Sequence, residues 1–338
     1  MRICLIMGGN EDGGLESHFV QVSNALVEHH EVHVIVHEKY TKQFKNVLVH
    51  SLDLTRGRRN PVLLYSVLKL LRNISPDIVH AQANKAVSII ATLKPFLPMR
   101  IKLVATLHSL KKNLAQYEKY DWVIGVSNSV LKNLKNPNKS FAYNGVSLAE
   151  SRLQQRRYLL NEFGLSENTK LVVSIGRLVE VKRFDILIDA FQGINNACLL
   201  IVGDGQERHK LELQIKESGQ DNIRLLGHRQ DNIEILSAAD LCVISSEREG
   251  FSYVMAESLL SGTPVISTDV ADMKSILPQG AVAKVNDIEG LNQLLVYIVD
   301  NYEVFNDSFQ STFQWAQDNF SFKKMRNSIE QVYMDILH

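Results

Sequence analysis

The sequence predicts an α/β protein made of two doubly wound domains, each built on a parallel sheet. The chain has 338 residues, which is more than one hydrophobic core usually fills. Short apolar, β-branched runs alternate with helical patterns along its whole length. This alternation lapses in a polar, Arg- and Gln-rich segment at 148–166 and then restarts, so the chain should hold two such units.

The first domain is predicted over residues 1–150. Its strands should cover 3–7, 32–36, 77–81, 103–107 and 122–126. Helical patterns lie between them at 16–28 and 61–73. Pro61 suits the first turn of the second of these helices, where its missing N–H is not needed.

The second domain is predicted over residues 151–312. Its strands should cover 170–175, 198–202, 223–226, 241–244, 264–267 and 281–284. The remaining residues, 313–338, are predicted to be a terminal helix. Its apolar side chains at helical spacing are Phe320, Met325, Ile329, Val332 and Ile336.

The composition is that of a folded globular protein. Lys and Arg number 37 against 37 Asp and Glu, and 45% of residues are hydrophobic, which excludes disordered and fibrous classes. No run of about 18 apolar residues occurs, so we expect no membrane-spanning helix, and the apolar start at 3–7 is too short for a secretory signal. Cys4, Cys198 and Cys242 have neither metal-ligand nor disulfide spacing, which suits three buried thiols in a cytoplasmic protein.

The charge is distributed unequally between the two halves. Residues 1–150 carry 19 Lys and Arg against 11 Asp and Glu, whereas 151–338 carry 18 against 26. The basic residues that stand out in the first half are Arg56, Arg58, Arg59, Lys69, Arg72, Lys94, Arg100, Lys102, Lys111 and Lys112. Two interpretations remain open, a solvated surface or a face for anionic lipid headgroups or a phosphorylated acceptor. Nucleic acid is disfavoured, because aromatic residues are not interleaved with the basic ones.

Candidate site residues should follow strands, because ligands of open parallel sheets bind beyond the carboxyl ends of the strands. With two such domains the site is predicted in the cleft between them. After the first strand, the glycine-rich segment 8–16 opens into a helix, where backbone amides can approach an anion closely. Such a turn is also common for purely structural reasons. His80 and His108 follow strands as well; the strand-end position favours a functional role for His108, while His80 fits either role.

A basic loop follows the first strand of the second domain. The strand ends in Gly176-Arg177, and Lys182 comes five positions after Arg177. Both cations can face one diphosphate, since Arg supplies a fork of donors and Lys a compact charge. A basic loop without any ligand is the alternative. Gly203 ends the next strand in another glycine turn, which by itself is weak evidence.

The segment 245–257 is the most specific part of the sequence. A helix is predicted over 251–260, with Glu249 at its entrance and Glu257 about two turns further on, roughly on the same face. Carboxylates so placed can each hold a pair of sugar hydroxyls, and the amides of Gly250 and Phe251 would meet an anion at the helix start. The alternative is a Glu favoured by the helix dipole plus an exposed Glu. The apolar neighbours of Glu257 favour a ligand role.

Taken in order, these motifs resemble the retaining GT-B glycosyltransferases of family 4, also called glycosyl transferases group 1. The motifs are the early Gly13-Gly14 turn, Gly176-Arg177-x4-Lys182 and Glu249-x7-Glu257. The likeness covers essentially the whole chain and is specific for the family, although not for the sugar. It implies the GT-B fold, in which two Rossmann-like domains face each other across the substrate cleft and a terminal helix crosses back onto the first domain.

The resemblance implies a nucleotide-sugar donor held mainly by the second domain and an acceptor held mainly by the first. By this analogy Arg177 and Lys182 neutralise the diphosphate, and Glu257 binds the ribose hydroxyls. Glu249 would contact hydroxyls of the transferred sugar, and His108 would lie beside that sugar near the reacting carbon.

The remaining donor contacts implied by the family are made mostly by backbone groups. Gly14, next to Gly13, would offer its amide to the distal phosphate, and the segment 227–229, which ends in Arg229, would hold the base. The other donor-binding positions are Gly176, Gly203, Gly250 and Phe251.

The sequence also bears on mechanism. No Asp-x-Asp motif occurs, so we expect no metal ion and no other cofactor, with the leaving group stabilised electrostatically by Arg177, Lys182 and helix N-termini. The family's retention of configuration is usually attributed to same-face attack, with the donor phosphate accepting the proton of the acceptor.

The leading hypothesis is a cytoplasmic enzyme, peripheral at the inner membrane face. It would move a hexose or N-acetylhexosamine to a lipid-linked, polysaccharide or lipopolysaccharide acceptor, and the frequency of donors in the family favours a UDP-sugar. Two alternatives stay open: a nucleotide-sugar epimerase or phosphorylase of the same fold, and a non-catalytic sugar-nucleotide-binding subunit.

Overall fold

Two parallel sheets organise the chain. The computed structural model describes residues 1–8, 13–146 and 153–338. Within these residues the first sheet has the strand order β3-β2-β1-β4-β5-β6-β7 and the second has the order β10-β9-β8-β11-β12-β13. All paired strands are parallel. The predicted α/β class with two doubly wound sheets is confirmed.

The elements alternate along the chain as the sequence predicts. The strands of the first sheet are β1 (Arg2–Met7), β2 (Glu31–Val36), β3 (Leu48–Ser51), β4 (Ile78–Gln82), β5 (Lys102–Leu107), β6 (Trp122–Gly125) and β7 (Lys139–Phe141). The accompanying helices are α1 (Gly14–Leu26), α2 (Pro61–Ile74) and α3 (Ala83–Leu93). The edge strands β3 and β7 were not predicted, because each is short and partly exposed and shows no apolar run.

The second sheet follows the same scheme. Its strands are β8 (Lys170–Ile175), β9 (Ala197–Val202), β10 (Ile223–Gly227), β11 (Leu241–Ile244), β12 (Val265–Thr268) and β13 (Val282–Ala283). The helices that follow in chain order are α4 (Leu153–Glu162), α5 (Phe184–Ala190), α6 (Arg208–Ser218), α7 (Asn232–Ala238), α8 (Tyr253–Leu260), α9 (Met273–Ile276), α10 (Ile288–Asp300), α11 (Tyr302–Asp307), α12 (Gln310–Asn319) and α13 (Phe322–Leu337). None of the helices in the described residues is long and apolar enough to cross a membrane.

The prediction of a single helix over 313–337 is wrong, because the helix is interrupted between α12 and α13. Ser321 has an extended backbone (φ −76°, ψ 149°), and its hydroxyl accepts a hydrogen bond from the Lys324 amide at 3.1 Å. A serine in this conformation is a strong N-cap, so it starts a new helix instead of continuing the old one.

The chain divides into two compact units. The N-terminal unit comprises Met1–Gly145 together with Phe320–His338, and the C-terminal unit comprises Val146–Asn319. The predicted divisions lie after residues 150 and 312 instead. Helix α12 thus belongs to the C-terminal unit, while α13 packs against α1 in the core of the N-terminal unit through residues such as Met325 and Tyr333.

Each sheet has a switch point, where the order of strands along the sheet reverses. It lies between β1 and β4 in the first sheet and between β8 and β11 in the second. Chain crossovers leave in opposite directions on the two sides of this point, which opens a crevice at the carboxyl ends of the two strands. These two places are where functional residues are expected.

Candidate functional site

In the C-terminal unit the switch point brings the basic loop after β8 beside the loop after β11. The Ser245 hydroxyl donates to the carbonyl of Lys182 at 2.8 Å, and the Glu247 amide donates to the carbonyl of Val181 at 2.8 Å. The two predicted motifs, 63 to 67 residues apart in sequence, therefore form one continuous wall.

Lys182 and Glu249 form an ion pair in this wall. The Nζ atom of Lys182 lies 2.6 Å from Oε1 of Glu249, and the Ser246 hydroxyl donates to the same oxygen at 2.7 Å. The side chain of Lys182 is 26% exposed and that of Glu249 is 12% exposed, so the pair is accessible from one side only. It lines a small pocket together with Phe184 and Ser252.

Arg177 lies beside this pair in sequence but differs from it in environment. It is exposed, directly after Gly176, and within the described residues its guanidinium has no ion-pair partner. An uncommitted guanidinium next to a glycine turn remains available to an anion.

Glu257 lies on α8, and its side chain is partly buried. Burial raises the pKa of its carboxyl to about 7. Among the residues that the structure describes, no basic group pairs with it. A desolvated carboxyl without a partner is costly, and hydroxyl donors from a ligand would offset that cost.

Helix α8 begins two residues later than predicted, which changes the expected geometry of the acidic pair. Ser252 is the N-cap, and its hydroxyl accepts from the Met255 amide at 3.2 Å. Glu249, Gly250 and Phe251 therefore precede the helix. The expectation that Glu249 and Glu257 share one helical face is wrong, because Glu249 is held by Lys182 and Ser246 and not by helix geometry.

Gly203 has a packing role that its position in the glycine turn after β9 did not predict. Its φ is +137°, and a Cβ at this position would clash with the carbonyl oxygen of Gly176. Only glycine permits this backbone approach at the ends of β8 and β9. Gly203 thus sets the position of the Gly176-Arg177 turn.

The Arg229 side chain is occupied within the protein. It forms a bidentate pair with Asp231, at 2.9 and 2.7 Å, and a further bond to Glu162 at 2.7 Å. These carboxylates hold the pKa of Arg229 above its ordinary value. The Arg229 side chain is therefore already committed to carboxylates of the protein.

In the N-terminal unit the glycine turn after β1 lies partly outside the described residues. Gly13 is the N-cap of α1, with an extended backbone and no side-chain cap, and Gly14 is the first helical residue. Residues 9–12 of the predicted anion-binding segment lie outside the described residues.

His80 and His108 differ in their surroundings. His80 is fully buried, with Nδ1 hydrogen-bonded to the Tyr333 hydroxyl at 2.6 Å and Nε2 to the Thr106 hydroxyl at 2.7 Å, so it ties β4, β5 and α13 together. The Nε2 atom of His108 is buried without a hydrogen-bond partner, and its ring lies edge-on to that of His18 at 5.2 Å. Burial, and then the neighbouring His18, His80 and Lys111, lower the pKa of His108 well below its ordinary value.

Two further polar residues at this sheet edge, Gln82 and His18, were not predicted as site residues. Gln82, the last residue of β4, is buried with neither side-chain atom hydrogen-bonded, and Nδ1 of His18 on α1 is likewise unpartnered. Gln82 pairs with Thr106 of the neighbouring strand β5, and Thr106 precedes His108 by two residues. Buried polar groups without partners are rare and costly, and their clustering at a switch point is typical of a ligand site. The position of Gln82 at a strand end was the available signal.

The described ranges contain no group of three or more His, Cys, Asp or Glu side chains arranged to hold a metal ion. The three cysteines are free and buried, as expected.

Comparison with known proteins agrees with this architecture. Residues 12–150 match the family model described as Glycosyltransferase Family 4, and residues 156–308 match the model described as Glycosyl transferases group 1. The chain is 26% identical to the N-acetyl-alpha-D-glucosaminyl L-malate synthase of Bacillus anthracis, over 91% of this chain and 90% of that protein.

Two further similarities bear on the class of protein. The chain is 25% identical to the N-acetylgalactosamine-N,N'-diacetylbacillosaminyl-diphospho-undecaprenol 4-alpha-N-acetylgalactosaminyltransferase of Campylobacter jejuni, over 76% of this chain and 78% of that enzyme. In structure it resembles HepE of Anabaena, crystallised with UDP, with a TM-score of 0.86 at 18% identity over 99% of this chain and 100% of that one. Fold and motifs together define a glycosyltransferase with the GT-B fold. The chain belongs to glycosyltransferase family 4.

Proposed function

We propose that this protein is a retaining glycosyltransferase that moves a hexose or N-acetylhexosamine from a UDP-sugar to a hydroxyl of a lipid-linked or polysaccharide acceptor. The observation that carries the proposal is the Lys182–Glu249 pair beside the unpaired Arg177. The UDP bound to HepE and the diphospho-undecaprenol acceptor in the name of the Campylobacter relative support the choice of donor and acceptor.

The Lys182–Glu249 pair balances the charge of the site before the donor binds, and both residues change partners when it binds. Without a donor, Lys182 and Glu249 neutralise each other. When the diphosphate binds, its oxygens compete for the ammonium of Lys182, and the carboxylate of Glu249 is released to accept hydrogen bonds from the sugar hydroxyls. Arg177 adds a second positive charge as the leaving group forms.

The proposal needs neither a metal ion nor another cofactor. The partly buried Lys182 and the exposed Arg177 would together stabilise a departing diphosphate electrostatically. Same-face attack, with the donor phosphate accepting the proton of the acceptor hydroxyl, would retain the anomeric configuration without a covalent nucleophile.

Calorimetry with UDP, GDP and ADP in the presence of a chelator tests the donor site. We expect UDP to bind, and Lys182→Ala to weaken it at least tenfold because one of two phosphate-facing cations is lost. Lys216→Ala, at an exposed position on α6 of the same unit, is the matched control. The absence of UDP binding without metal, or an unchanged affinity in Lys182→Ala, would refute the donor assignment.

Product analysis with and without acceptor separates transfer from epimerisation.

We propose further that the protein is cytoplasmic and binds the inner membrane face peripherally. The outer side of α2 exposes Tyr65 (66%) next to Lys69 and Arg72, and Met99 (98%) is exposed after α3. The Arg72 guanidinium donates to the carbonyl of Phe96 at 3.2 Å, which joins the two segments. Apolar side chains among cations suit a surface of anionic lipid. We call this the α2 surface.

A further inference from the structure

A separate basic cavity lies in the N-terminal unit, between the loop before α2, helix α3 and the loop after β5. It encloses about 630 Å³. Its cationic lining residues are Arg58, Arg59, Lys111, Lys112 and Lys119, and no Asp or Glu lines it. These five side chains come from two segments about 50 residues apart, which the sequence shows only as scattered basic residues.

The charge of this cavity is uncompensated. None of its five cations has an ion-pair partner within the described residues. Two cations outside the cavity are paired, Arg56 with Asp53 at 2.9 Å and Lys94 with Asp121 at 3.1 Å. Cations gathered without counter-charge repel one another, and a bound anion relieves that repulsion.

The floor of the cavity is ordered by internal hydrogen bonds. Tyr117 is buried, and its hydroxyl donates to the side-chain oxygen of Asn84 at 3.1 Å. The side-chain oxygen of Asn113 accepts from the Ala115 amide at 3.0 Å, and the Tyr117 amide donates to the Leu114 carbonyl at 2.8 Å. Three of the five cations, Lys111, Lys112 and Lys119, are thus carried on a segment whose shape is held by internal hydrogen bonds before any ligand arrives.

The cavity adjoins the histidine site at the end of β5. Lys111 is half-buried, three residues after His108, and is among the groups that influence the ionisation of His108. A ligand bound among these cations would therefore lie near the residue expected beside the transferred sugar.

We propose that this cavity binds the diphosphate group of a lipid-linked glycosyl acceptor, an inference that rests on the proposed function. A diphosphate ester has the charge to engage several Arg and Lys side chains at once, and Arg binds phosphate oxygens through parallel hydrogen bonds. A four-carbon dicarboxylate such as L-malate carries less charge and fills little of the volume.

Calorimetric titration of the full chain with inorganic pyrophosphate, at saturating UDP, tests the proposal, because UDP occupies the donor site in the other unit. We expect the double variant Arg59→Gln/Lys112→Gln to weaken pyrophosphate binding at least tenfold and to leave UDP affinity unchanged. Arg58→Gln/Lys111→Gln is a second variant with the same expectation. Lys69→Gln/Arg72→Gln, which removes equal charge from the α2 surface, should leave pyrophosphate binding unchanged.

Two further arms identify the source of the anion. The wild-type protein should co-sediment with vesicles of phosphatidylglycerol at low salt. The Lys69→Gln/Arg72→Gln variant should not co-sediment, whereas the cavity variant should still bind the vesicles. If the cavity variant alone lost vesicle binding, the cavity would bind lipid headgroups and the proposal would be overturned. Tight L-malate binding that the cavity variant abolishes, or pyrophosphate binding equal in all variants, would overturn it as well. If any of these results were found while UDP still bound normally, only the assignment of the cavity would fail, and the proposed function would stand.

Discussion

At Glu257 the fold places a carboxyl group where its charge is unfavourable. Burial raises its pKa to about 7, against 4.5 for the ordinary side chain. The folded state therefore holds a proton that the unfolded state releases between these two values. Stability from this group is present below about pH 4.5 and is lost as the pH rises towards 7.

We expect Glu257→Gln to increase the free energy of unfolding at pH 8 by about 2 kcal/mol and, at the same pH, to weaken UDP binding at least tenfold. The first effect follows because glutamine carries no charge to desolvate, the second because a carboxylate is the stronger acceptor for ribose hydroxyls. Chemical denaturation and calorimetry measure the two effects, with Glu217→Gln on the exposed side of α6 as control. A variant that lost stability at pH 8 while UDP affinity stayed constant would contradict the ligand role.

The sequence predicts which residues meet at the C-terminal site but not how they pair. Lys182 and Glu249 were expected in one site because both follow strands of one sheet. Their mutual ion pair depends on the loop contacts of Ser245 and Ser246, which local patterns do not encode. Gln82 escaped prediction because a single amide in an apolar strand has no motif around it.

At the scale of the element, the ends of the strands depend on close backbone contact. Gly203 (φ +137°) lies against the carbonyl of Gly176, so any side chain there pushes β9 away from the loop that carries Arg177. Gly203 was predicted as a donor-binding residue, whereas in the structure it packs against the Gly176 turn that precedes Arg177.

We expect Gly203→Ala to lower the free energy of unfolding by about 3 kcal/mol, because backbone strain and a backbone clash act together. Gly219→Ala is the matched control, since Gly219 also has a positive φ (+68°) but open space around its Cα, and we expect it to cost only about 1 kcal/mol. Thermal denaturation of both variants measures the difference. Equal losses would show that the contact with Gly176 is unimportant.

Secondary structure is predictable here where burial makes the pattern strong. The central strands β1 and β9 are almost wholly apolar, because both faces of a parallel sheet are covered. Edge strand β3 pairs on one side and exposes half of its residues, so its sequence resembles a loop. The break before α13 depends on one serine hydroxyl, which hydrophobic spacing does not reveal.

At the scale of the molecule, we expect the stabilities of the two units to change in opposite directions as the pH falls from 7 to 5. The histidines whose pKa is lowered all lie in the N-terminal unit: His18, His30, His50, His80 and His108. Burial is the first cause in each, and it lowers the pKa of His18 to about 4 and of His80 to about 3. The unfolded state takes up these protons near pH 6.5, so stability is full above that value and is lost as the pH falls.

Between pH 7 and pH 5 we expect the N-terminal unit to lose about 2 kcal/mol for each fully buried histidine, while protonation of Glu257 stabilises the C-terminal unit. Each unit has one tryptophan, Trp122 on β6 and Trp315 on α12. Trp315→Phe and Trp122→Phe variants therefore report thermal unfolding of the two units separately by fluorescence. The midpoint from Trp122 should fall on acidification and that from Trp315 should not. His18→Gln should reduce the acid sensitivity, and parallel shifts of both midpoints would contradict this account.

The return of α13 to the N-terminal unit also affects synthesis on the ribosome. The core of that unit includes Met325 and Tyr333, and the buried His80 is hydrogen-bonded to Tyr333. A nascent chain emerges in order, so the C-terminal unit is complete in sequence while the first unit still lacks its closing helix. The unit whose strands are made first therefore completes its core last, and its exposed apolar face has to be kept from other chains until α13 has left the exit tunnel.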